Sequence, residues 1–213
     1  MTDKQKLIFE VIYNMYPEAC CELNYHTNEQ LAIAVILSAQ TTDKLVNTVT
    51  PTLFETYPTI NTLADAKIKD IESCIQRIGL YHTKAKNIKA FAQELIERHN
   101  GSLPDNPNDL KKLSGVGQKT SQVILAEIFK IPALAVDTHV HRVSLRLGLT
   151  KKNSNVDQTE KSLKRIIPKE DWIQAHHRIL WFGRYHCMAK NPKCSSCALT
   201  DVCRYYKYER KAN

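Results

Sequence analysis

The segment 109–129 constrains the fold of this chain more than any other, because it reads as two helices joined by a tight glycine turn. The first helix is expected to end near Leu113. Gly115 and Gly117 then supply the backbone freedom of left-handed turn residues, and a second helix is expected to start near Gln118. The apolar positions of this second helix recur at helical spacing: Val123, Ile124, Leu125 and Ile128.

The turn of this hairpin has the properties of an anion site. Val116 is apolar and is expected to pack back against the two helices, which leaves the turn amides uncovered. Free N–H groups at the start of the second helix add to them, and together they suit a phosphate oxygen. Lys119 lies in the first turn of that helix and by itself is compatible with a simple phosphate contact. A glycine turn between helices can also be an ordinary structural corner.

The string L-S-G-V-G-Q-K-T at 113–120 is more specific than a glycine turn. It resembles the helix-hairpin-helix of the base-excision DNA glycosylases, in particular the endonuclease III family. The resemblance implies that residues 115–117 grip the DNA backbone and that Lys119 is the nucleophile. The chain departs from the family at Ser114, where proline is usual, and at Ser121, where alanine is usual, and neither change touches the turn amides or the amine.

Composition favours an anionic partner. The chain has 213 residues with 43% apolar residues, a formal net charge of +8 and a pI of about 9.1, so nucleic acid is the first candidate. The chain contains no run of 18 apolar residues, so no membrane span is expected. The N-terminal sequence MTDKQK has no apolar region typical of a secretion signal. We therefore expect a cytoplasmic protein, nucleoid-associated if bacterial, whose seven cysteines are ligands or buried thiols rather than disulfides.

The remaining segments read as helices, and no alternating strand pattern occurs, so the fold class is expected to be all-α. Thr27 with Gln30 predicts a capping box before a helix at 31–39 that is apolar on all sides and should be the buried central helix. The other helices are expected over 3–16, at 156–167 and at 171–182. A helix should also run from Asp43 as its cap to about Tyr57, with a kink or restart at Pro51. Further helices are expected from Asp65 to Gly79, from Thr83 as cap to Asn100, and from 137 to Gly148.

A cluster of cysteines near the C-terminus predicts a metal centre. Its spacing is C-x6-C-x2-C-x5-C, and such short loops allow four soft thiolate ligands to converge. Zinc is the rival, although zinc ribbons usually carry two C-x2-C pairs and this segment has one. The spacing matches the [4Fe–4S] motif of endonuclease III-like proteins. The ligands implied are Cys187, Cys194, Cys197 and Cys203.

The resemblance implies that this cluster shapes a basic loop and does no chemistry on the base, so no catalytic metal is expected. Lys190 and Lys193 lie in the loop between the first two cysteines, and Arg184 precedes it. These cations can reach DNA phosphates. His139 is kept as a further candidate DNA contact because it lies two residues from Asp137.

Excision of a base requires a nucleophile, a nearby anion and groups that enter the duplex where the nucleotide has left. Lys119 must lose its proton to attack, which its place at a helix start and partial burial are expected to promote. Asp137 can stabilise the sugar cation, and it can equally be a helix N-cap. Gln40 and Leu80 match the family positions that enter the DNA stack. Their alternative readings are a polar helix end and a core leucine.

The resemblance covers nearly the whole chain and implies a two-lobed helix-hairpin-helix DNA glycosylase fold. A helical barrel is expected over 22–131, with the hairpin at about 107–129. Segments 1–21 and 132–213 are expected to form the second lobe, with the iron–sulfur loop at 187–203 and the active site in the cleft between the lobes.

The implied function is base-excision repair by a monomeric, bifunctional enzyme. It would remove oxidised pyrimidines from double-stranded DNA and cut the abasic site by β-elimination through a lysine Schiff base. No membrane is expected as a partner. One rival is a monofunctional glycosylase such as the mismatch adenine glycosylase, which lacks this lysine and carries a glutamate where the helix at 36–40 offers no acid. Another is a non-enzymatic DNA-binding or iron-sensing protein.

Overall fold

The computed structural model describes residues 1–210, and within that range the chain is helical and contains no β-strand. The all-α prediction is therefore confirmed. The α-helices are α1 Asp3–Met15, α2 Asn28–Leu37, α3 Asp43–Thr56, α4 Ile60–Asp65, α5 Ile68–Ile75, α6 Tyr81–His99, α7 Pro107–Leu110, α8 Gln118–Glu127, α9 Thr138–Leu147, α10 Val156–Ile166 and α11 Trp172–Trp181. Short 3-10 turns lie at Lys169–Asp171 and Cys194–Ser196, and π-helical turns at Phe182–His186 and Tyr206–Arg210. None of the helices within residues 1–210 combines the length and apolar character needed to cross a bilayer.

The chain divides into two compact units. The middle unit is Glu22–Ile131, and the terminal unit combines Met1–Cys21 with the chain from Pro132 onward. In the middle unit α2 is the core helix: every residue from 31 to 37 is buried, and α3, α6 and α8 pack against it. A helix that is apolar on all sides can be stable only when it is surrounded in this way.

The terminal unit has its own apolar core. Helices α1, α9 and α11 supply half of its buried residues through their apolar faces, and α10 contributes Leu163. Phe182, at the start of the π-helical turn after α11, is among the largest fully buried side chains. This turn redirects the chain into the cysteine-bearing segment.

Two helix starts differ from the predictions because the capping groups differ. Thr27 does accept a hydrogen bond from the Gln30 amide, but the Gln30 side chain accepts from the His26 amide, so the capping box is not closed. The cap of α3 is Thr42, which accepts from the Leu45 amide, and Asp43 is already the first helical residue. Asp43 still contributes a favourable charge to the first turn of the helix.

Helix α3 and its successor also correct the sequence reading. Pro51 lies inside α3 without interrupting it, because buried residues before and after it, Val49 and Leu53, hold both turns against the core. The short helix α4 was not predicted, and Asp65 ends it rather than starting α5. Its capping box uses Thr59 with a threonine, not Glu or Gln, at the third position, which hides the signal.

Helix α6 begins earlier than predicted. Its N-cap is Leu80, in the left-handed region at φ 59°, so Thr83 lies inside the first turn and caps nothing. Asn100 ends the helix in the left-handed conformation at φ 52°, as its position before Gly101 predicted. The predicted stop of α9 at Gly148, with φ 74°, is also confirmed.

Candidate active site

The hairpin turn depends on one left-handed glycine, not two. Gly115 has φ +79°, and a Cβ there would lie 2.8 Å from Cγ2 of buried Ile36 on α2. Gly117 is extended, with φ −88° and ψ −175°, so the prediction that it adopts a left-handed conformation is wrong. The first hairpin helix, α7, also ends at Leu110 rather than near Leu113, because residues 111–115 form tighter turns.

The turn presents unused amide donors. Val116 is buried and its amide donates to the Leu113 carbonyl at 3.1 Å, as expected for a residue that packs back on the hairpin. The amides of Gly115 and Gly117 donate to no acceptor within residues 1–210, and no side chain caps the start of α8. These N–H groups are therefore available to an anion.

Ser114, the departure from the family's proline, fixes this turn to helix α6. Its amide donates to Oε2 of Glu94 at 2.7 Å, and its hydroxyl donates to Oε1 of the same carboxylate at 2.9 Å. Proline at this position would offer neither donor. Sequence reasoning missed Glu94, which has no motif and is brought to the turn only by the packing of α6.

Lys119 lies in the first turn of α8 and is exposed. The expected partial burial of its side chain is not found, so the protein around α8 does not desolvate the amine. Any burial of the amine must therefore come from a bound ligand. An exposed amine beside free turn amides is accessible to an incoming sugar-phosphate.

Asp137 is the N-cap of α9 and is 9% exposed. Its Oδ1 atom accepts hydrogen bonds from the amides of His139 at 2.9 Å and Val140 at 2.8 Å. No hydrogen bond within the described chain involves the other oxygen, Oδ2. The N-cap prediction is confirmed, and this oxygen is free to face a cation.

His139 is half-buried next to two arginines. Burial lowers the pKa of its imidazole, and the positive charges of Arg142 and Arg184 lower it further, against the raising effect of Asp137. Nη2 of Arg142 lies 3.2 Å from Nδ1 of His139. Because a guanidinium can only donate, this bond requires Nδ1 as its acceptor, and therefore a neutral ring.

Gln40 and Leu80 share an unusual geometry. Both are non-glycine residues with positive φ, 55° and 59°, a conformation that costs an L-residue roughly 1 kcal/mol or more. Both are also exposed, Leu80 at 61%, which excludes the core-leucine reading. An exposed leucine in a strained turn is consistent with a group that contacts a ligand.

Four of the terminal unit's cysteines, Cys187, Cys194, Cys197 and Cys203, line one cavity. Among residues 1–210 no three Cys, His, Asp or Glu side chains converge closely enough to hold a single metal ion. The cavity wall also includes His186, whose buried Nε2 has no hydrogen-bond partner within that range. Burial raises the pKa of the Cys197 and Cys203 thiols, the charges of the other cysteines acting in the same direction, so a bound cationic centre would be needed to hold them as thiolates.

Two arginines of α9 hold the start of the cysteine segment. Arg146 donates to the carbonyl of Met188 at 2.7 Å and approaches Sγ of Cys187 at 3.5 Å, and Arg142 donates to the carbonyl of Gly183 at 2.8 Å. Sequence reasoning missed both, although their i, i+4 spacing on one helix face was readable. The predicted contacts Lys190 and Lys193 are exposed, and Arg184 is half-buried.

A separate groove of about 660 Å³ in the middle unit is lined by residues that include Leu23, Tyr25, Phe54 and Glu55. It contains none of the predicted site residues. Its volume therefore does not by itself make it the predicted active site, whose residues lie elsewhere.

Known proteins resemble this chain in sequence. Residues 33–169 match the sequence profile of the HhH-GPD superfamily of base excision DNA repair proteins. Endonuclease III of Bacillus subtilis is 46% identical over 193 residues, 91% of this chain and 88% of its own length. Endonuclease III of Escherichia coli K12 is 39% identical over 189 residues, 89% of each chain.

Solved structures also match this chain, and two of them are of endonuclease III. A trapped endonuclease III–DNA covalent intermediate superimposes with a TM-score of 0.93 at 45% identity, and a non-covalent endonuclease III–DNA complex with a TM-score of 0.94, each over 100% of both chains. A thermostable thymine-DNA glycosylase, 23% identical, shares the fold with a TM-score of 0.81 over 95% of this chain and 96% of its own.

The hairpin and the helical fold thus place the chain in the HhH-GPD superfamily of base excision repair proteins. Within that superfamily it belongs to the endonuclease III family. Members of this family are DNA glycosylases that also cleave abasic sites, so this chain is a base-excision repair enzyme and DNA is its partner.

Proposed function

We propose that this enzyme removes oxidised pyrimidines from double-stranded DNA and cleaves the resulting abasic site through a Schiff base on Lys119. The observation that carries the proposal is the exposed amine of Lys119 beside turn amides that donate to nothing within residues 1–210. Phosphate oxygens bound by the amides of Gly115 and Gly117 would hold the damaged strand in front of this amine. The proposal is supported by the similar endonuclease III that was trapped as a covalent intermediate with DNA.

The chemistry follows from a neutral amine at the sugar. The nitrogen of Lys119 attacks C1′ of the flipped nucleotide, and the base leaves with the electron pair of the N-glycosidic bond. Ring opening gives an imine between C1′ and the lysine. Loss of a C2′ proton then expels the 3′-phosphate, which cuts the strand on the 3′ side of the lesion. DNA binding would displace water from around the Lys119 amine. Because water stabilises the charged ammonium, its loss would favour the neutral amine.

Asp137 supplies the negative charge in this proposal. Its Oδ1 is held by two α9 amides, and Oδ2 has no hydrogen-bond partner among the described residues. A fixed carboxylate stabilises the oxocarbenium-like sugar as the base departs. His139, neutral and next to Arg142, is proposed as a DNA contact rather than a proton carrier.

Gln40 and Leu80 are proposed to enter the duplex at the place the damaged nucleotide vacates. Their exposure supports this role, since side chains that wedge between bases must project from the protein. Lys190, Lys193 and Arg184 are proposed phosphate contacts from the cysteine segment. The duplex carries a damaged base or an abasic site, and we propose that the enzyme acts on it as a monomer.

We also propose a [4Fe–4S] cluster on Cys187, Cys194, Cys197 and Cys203. In such a cluster each thiolate binds a different iron, so the thiols surround a space rather than meet at one point. A single zinc would instead need four sulfur atoms about 2.3 Å from one centre. The shared cavity and the unpartnered Nε2 of His186 at its wall support the cluster. The role proposed for the cluster is to shape the basic loop. We propose that the enzyme is cytoplasmic, in keeping with the absence of any disulfide within residues 1–210.

Substitution of the nucleophile tests the function. Lys119→Gln is expected to abolish base release, strand nicking and borohydride trapping on duplexes with thymine glycol or an abasic site, without added metal. Binding to a duplex with a tetrahydrofuran abasic analogue should stay within about tenfold. Lys111→Gln, which removes an exposed lysine just after α7, is the control and should keep full activity. Full activity in Lys119→Gln would overturn the mechanism.

A further inference from the structure

Two separate turns of the middle unit carry the residues proposed to enter DNA. Gln40 lies in the segment between α2 and α3, and Leu80 immediately precedes α6. Each is exposed and left-handed. Joint entry into one gap in the duplex requires that the two turns keep a fixed spacing. No side-chain cap holds the turn of Leu80 at the start of α6.

Lys84 connects these turns. It lies in the first turn of α6, its amide donates to the Leu80 carbonyl at 3.0 Å, and its Nζ donates to Oγ1 of Thr41 at 2.6 Å. Thr41 directly follows Gln40. One lysine therefore joins both left-handed turns, with its backbone to one and its side chain to the other.

The burial of Lys84 is unusual for its chemistry. The residue is 4% exposed, and burial lowers the pKa of its amine. Within residues 1–210 no carboxylate forms an ion pair with it, and Thr41 is the only side chain that accepts from it. Buried lysines are normally paired with an acid. A methionine is similar in length and could occupy the same buried position, so what the amine adds is the hydrogen bond to Thr41.

We propose that Lys84 is a positioning residue, and that its hydrogen bond to Thr41 sets the spacing of Gln40 and Leu80 for insertion into damaged DNA. The inference rests on the proposed function, because it assumes that these two residues enter the duplex. Lys84 itself touches no reacting atom. Its amine can donate to the threonine hydroxyl whether it is protonated or neutral.

The test compares Lys84→Met, Thr41→Val and the double variant. The measured quantity is the ratio of affinities for a tetrahydrofuran abasic duplex and the same undamaged duplex. Each single change is expected to lower this ratio by about tenfold, and the double change to lower it no further, because both remove one bond. Fluorescence of 2-aminopurine placed opposite the abasic analogue should report reduced insertion in all three variants.

Lys89→Met is the matched control. Lys89 lies on the same helix and its Nζ donates to the Ala66 carbonyl, also at 2.6 Å, but this bond does not reach the turn of Gln40. It should change the affinity ratio by less than about twofold, whatever its effect on the melting temperature. Equal ratios in the Lys84→Met and Lys89→Met variants, or additive losses in the double variant, would overturn the proposal.

Borohydride trapping separates this inference from the function on which it rests. The wild-type protein and the Lys84→Met variant should both form a covalent adduct with an abasic duplex at saturating protein concentration, since Lys119 is unchanged. If the wild type forms no adduct, the proposed function fails. If the wild type is trapped while its affinity ratio is unaffected by Lys84→Met and Thr41→Val, only the positioning role fails.

Discussion

At the scale of single residues, the capping role of Asp137 and its proposed catalytic role depend on different properties of the carboxylate. The N-cap role needs an oxygen acceptor for the amides of His139 and Val140. The proposed catalytic role needs a negative charge. Asparagine keeps the acceptor and loses the charge, whereas alanine loses both.

These properties predict a separation of stability from activity. In urea unfolding, Asp137→Asn should change the free energy of unfolding by only a few tenths of a kcal/mol, and Asp137→Ala should lower it by about 1 kcal/mol. In single-turnover assays of base release, both should be slower by about a hundredfold or more, because both lack the anion. If base release by Asp137→Asn were as fast as in the wild type, the carboxylate would be a cap alone.

At the scale of elements, the hairpin turn contains two glycines that serve different purposes. Gly115 combines a positive φ with a close approach to Ile36, so it is required by the packing of the turn on α2. Gly117 is extended, and a Cβ there would meet no atom within 4 Å. Packing therefore does not require a glycine at position 117. The remaining reason for glycine there is that a missing side chain leaves the turn amides uncovered.

The two alanine substitutions should therefore differ in their effects. Gly115→Ala is expected to lower the free energy of unfolding by ~2–4 kcal/mol, from backbone strain together with the contact at Ile36. Gly117→Ala should leave it within about 0.5 kcal/mol, yet weaken binding to the abasic-analogue duplex by about tenfold if its amide holds a phosphate. Unfolding curves and fluorescence anisotropy give the two quantities. Unchanged affinity in Gly117→Ala would remove that amide from the DNA contact.

The cysteine segment is the other element with a direct test. Purified protein should be brown and contain roughly four iron atoms per chain. Cys197→Ser should lose most of the iron and the visible absorbance, and Cys74→Ser, which changes a half-buried cysteine of α5, should keep both. A colourless protein with one zinc per chain would contradict the cluster and favour a single-ion site.

At the scale of the whole molecule, the net charge of +8 makes DNA affinity dependent on salt. Each phosphate contact contributes about −0.9 to the slope of log K against log salt concentration. The double change Lys190→Gln with Lys193→Gln should therefore make the slope shallower by about 1.8. The double change Lys67→Gln with Lys69→Gln alters the net charge equally, at exposed residues around the start of α5, and should leave the slope unchanged. Equal slopes in both double variants would show that only the total charge matters.

Much of the molecule could be predicted from local patterns. The all-α class, the buried helix α2, the start of α8, the cap at Asp137 and the stops at Asn100 and Gly148 each depend on a few neighbouring residues. Membership of the endonuclease III family was likewise readable from the hairpin string and the cysteine spacing. Errors arose where a local signal was ambiguous, as at α4, whose capping box ends in threonine, and at Pro51, which tertiary packing keeps inside a continuous helix.

The sequence by itself determined the residues proposed to carry the chemistry: the lysine after the glycine turn, the aspartate at a helix start and the four clustered thiols. These are readable because each depends on residue type and spacing along the chain. Only the tertiary structure decided the supporting contacts, such as Glu94 on Ser114, Arg146 on the cysteine segment and Lys84 on Thr41. These pairs are 20 to 43 residues apart, and a hydrogen bond between distant residues is set by how helices pack, which no local pattern encodes.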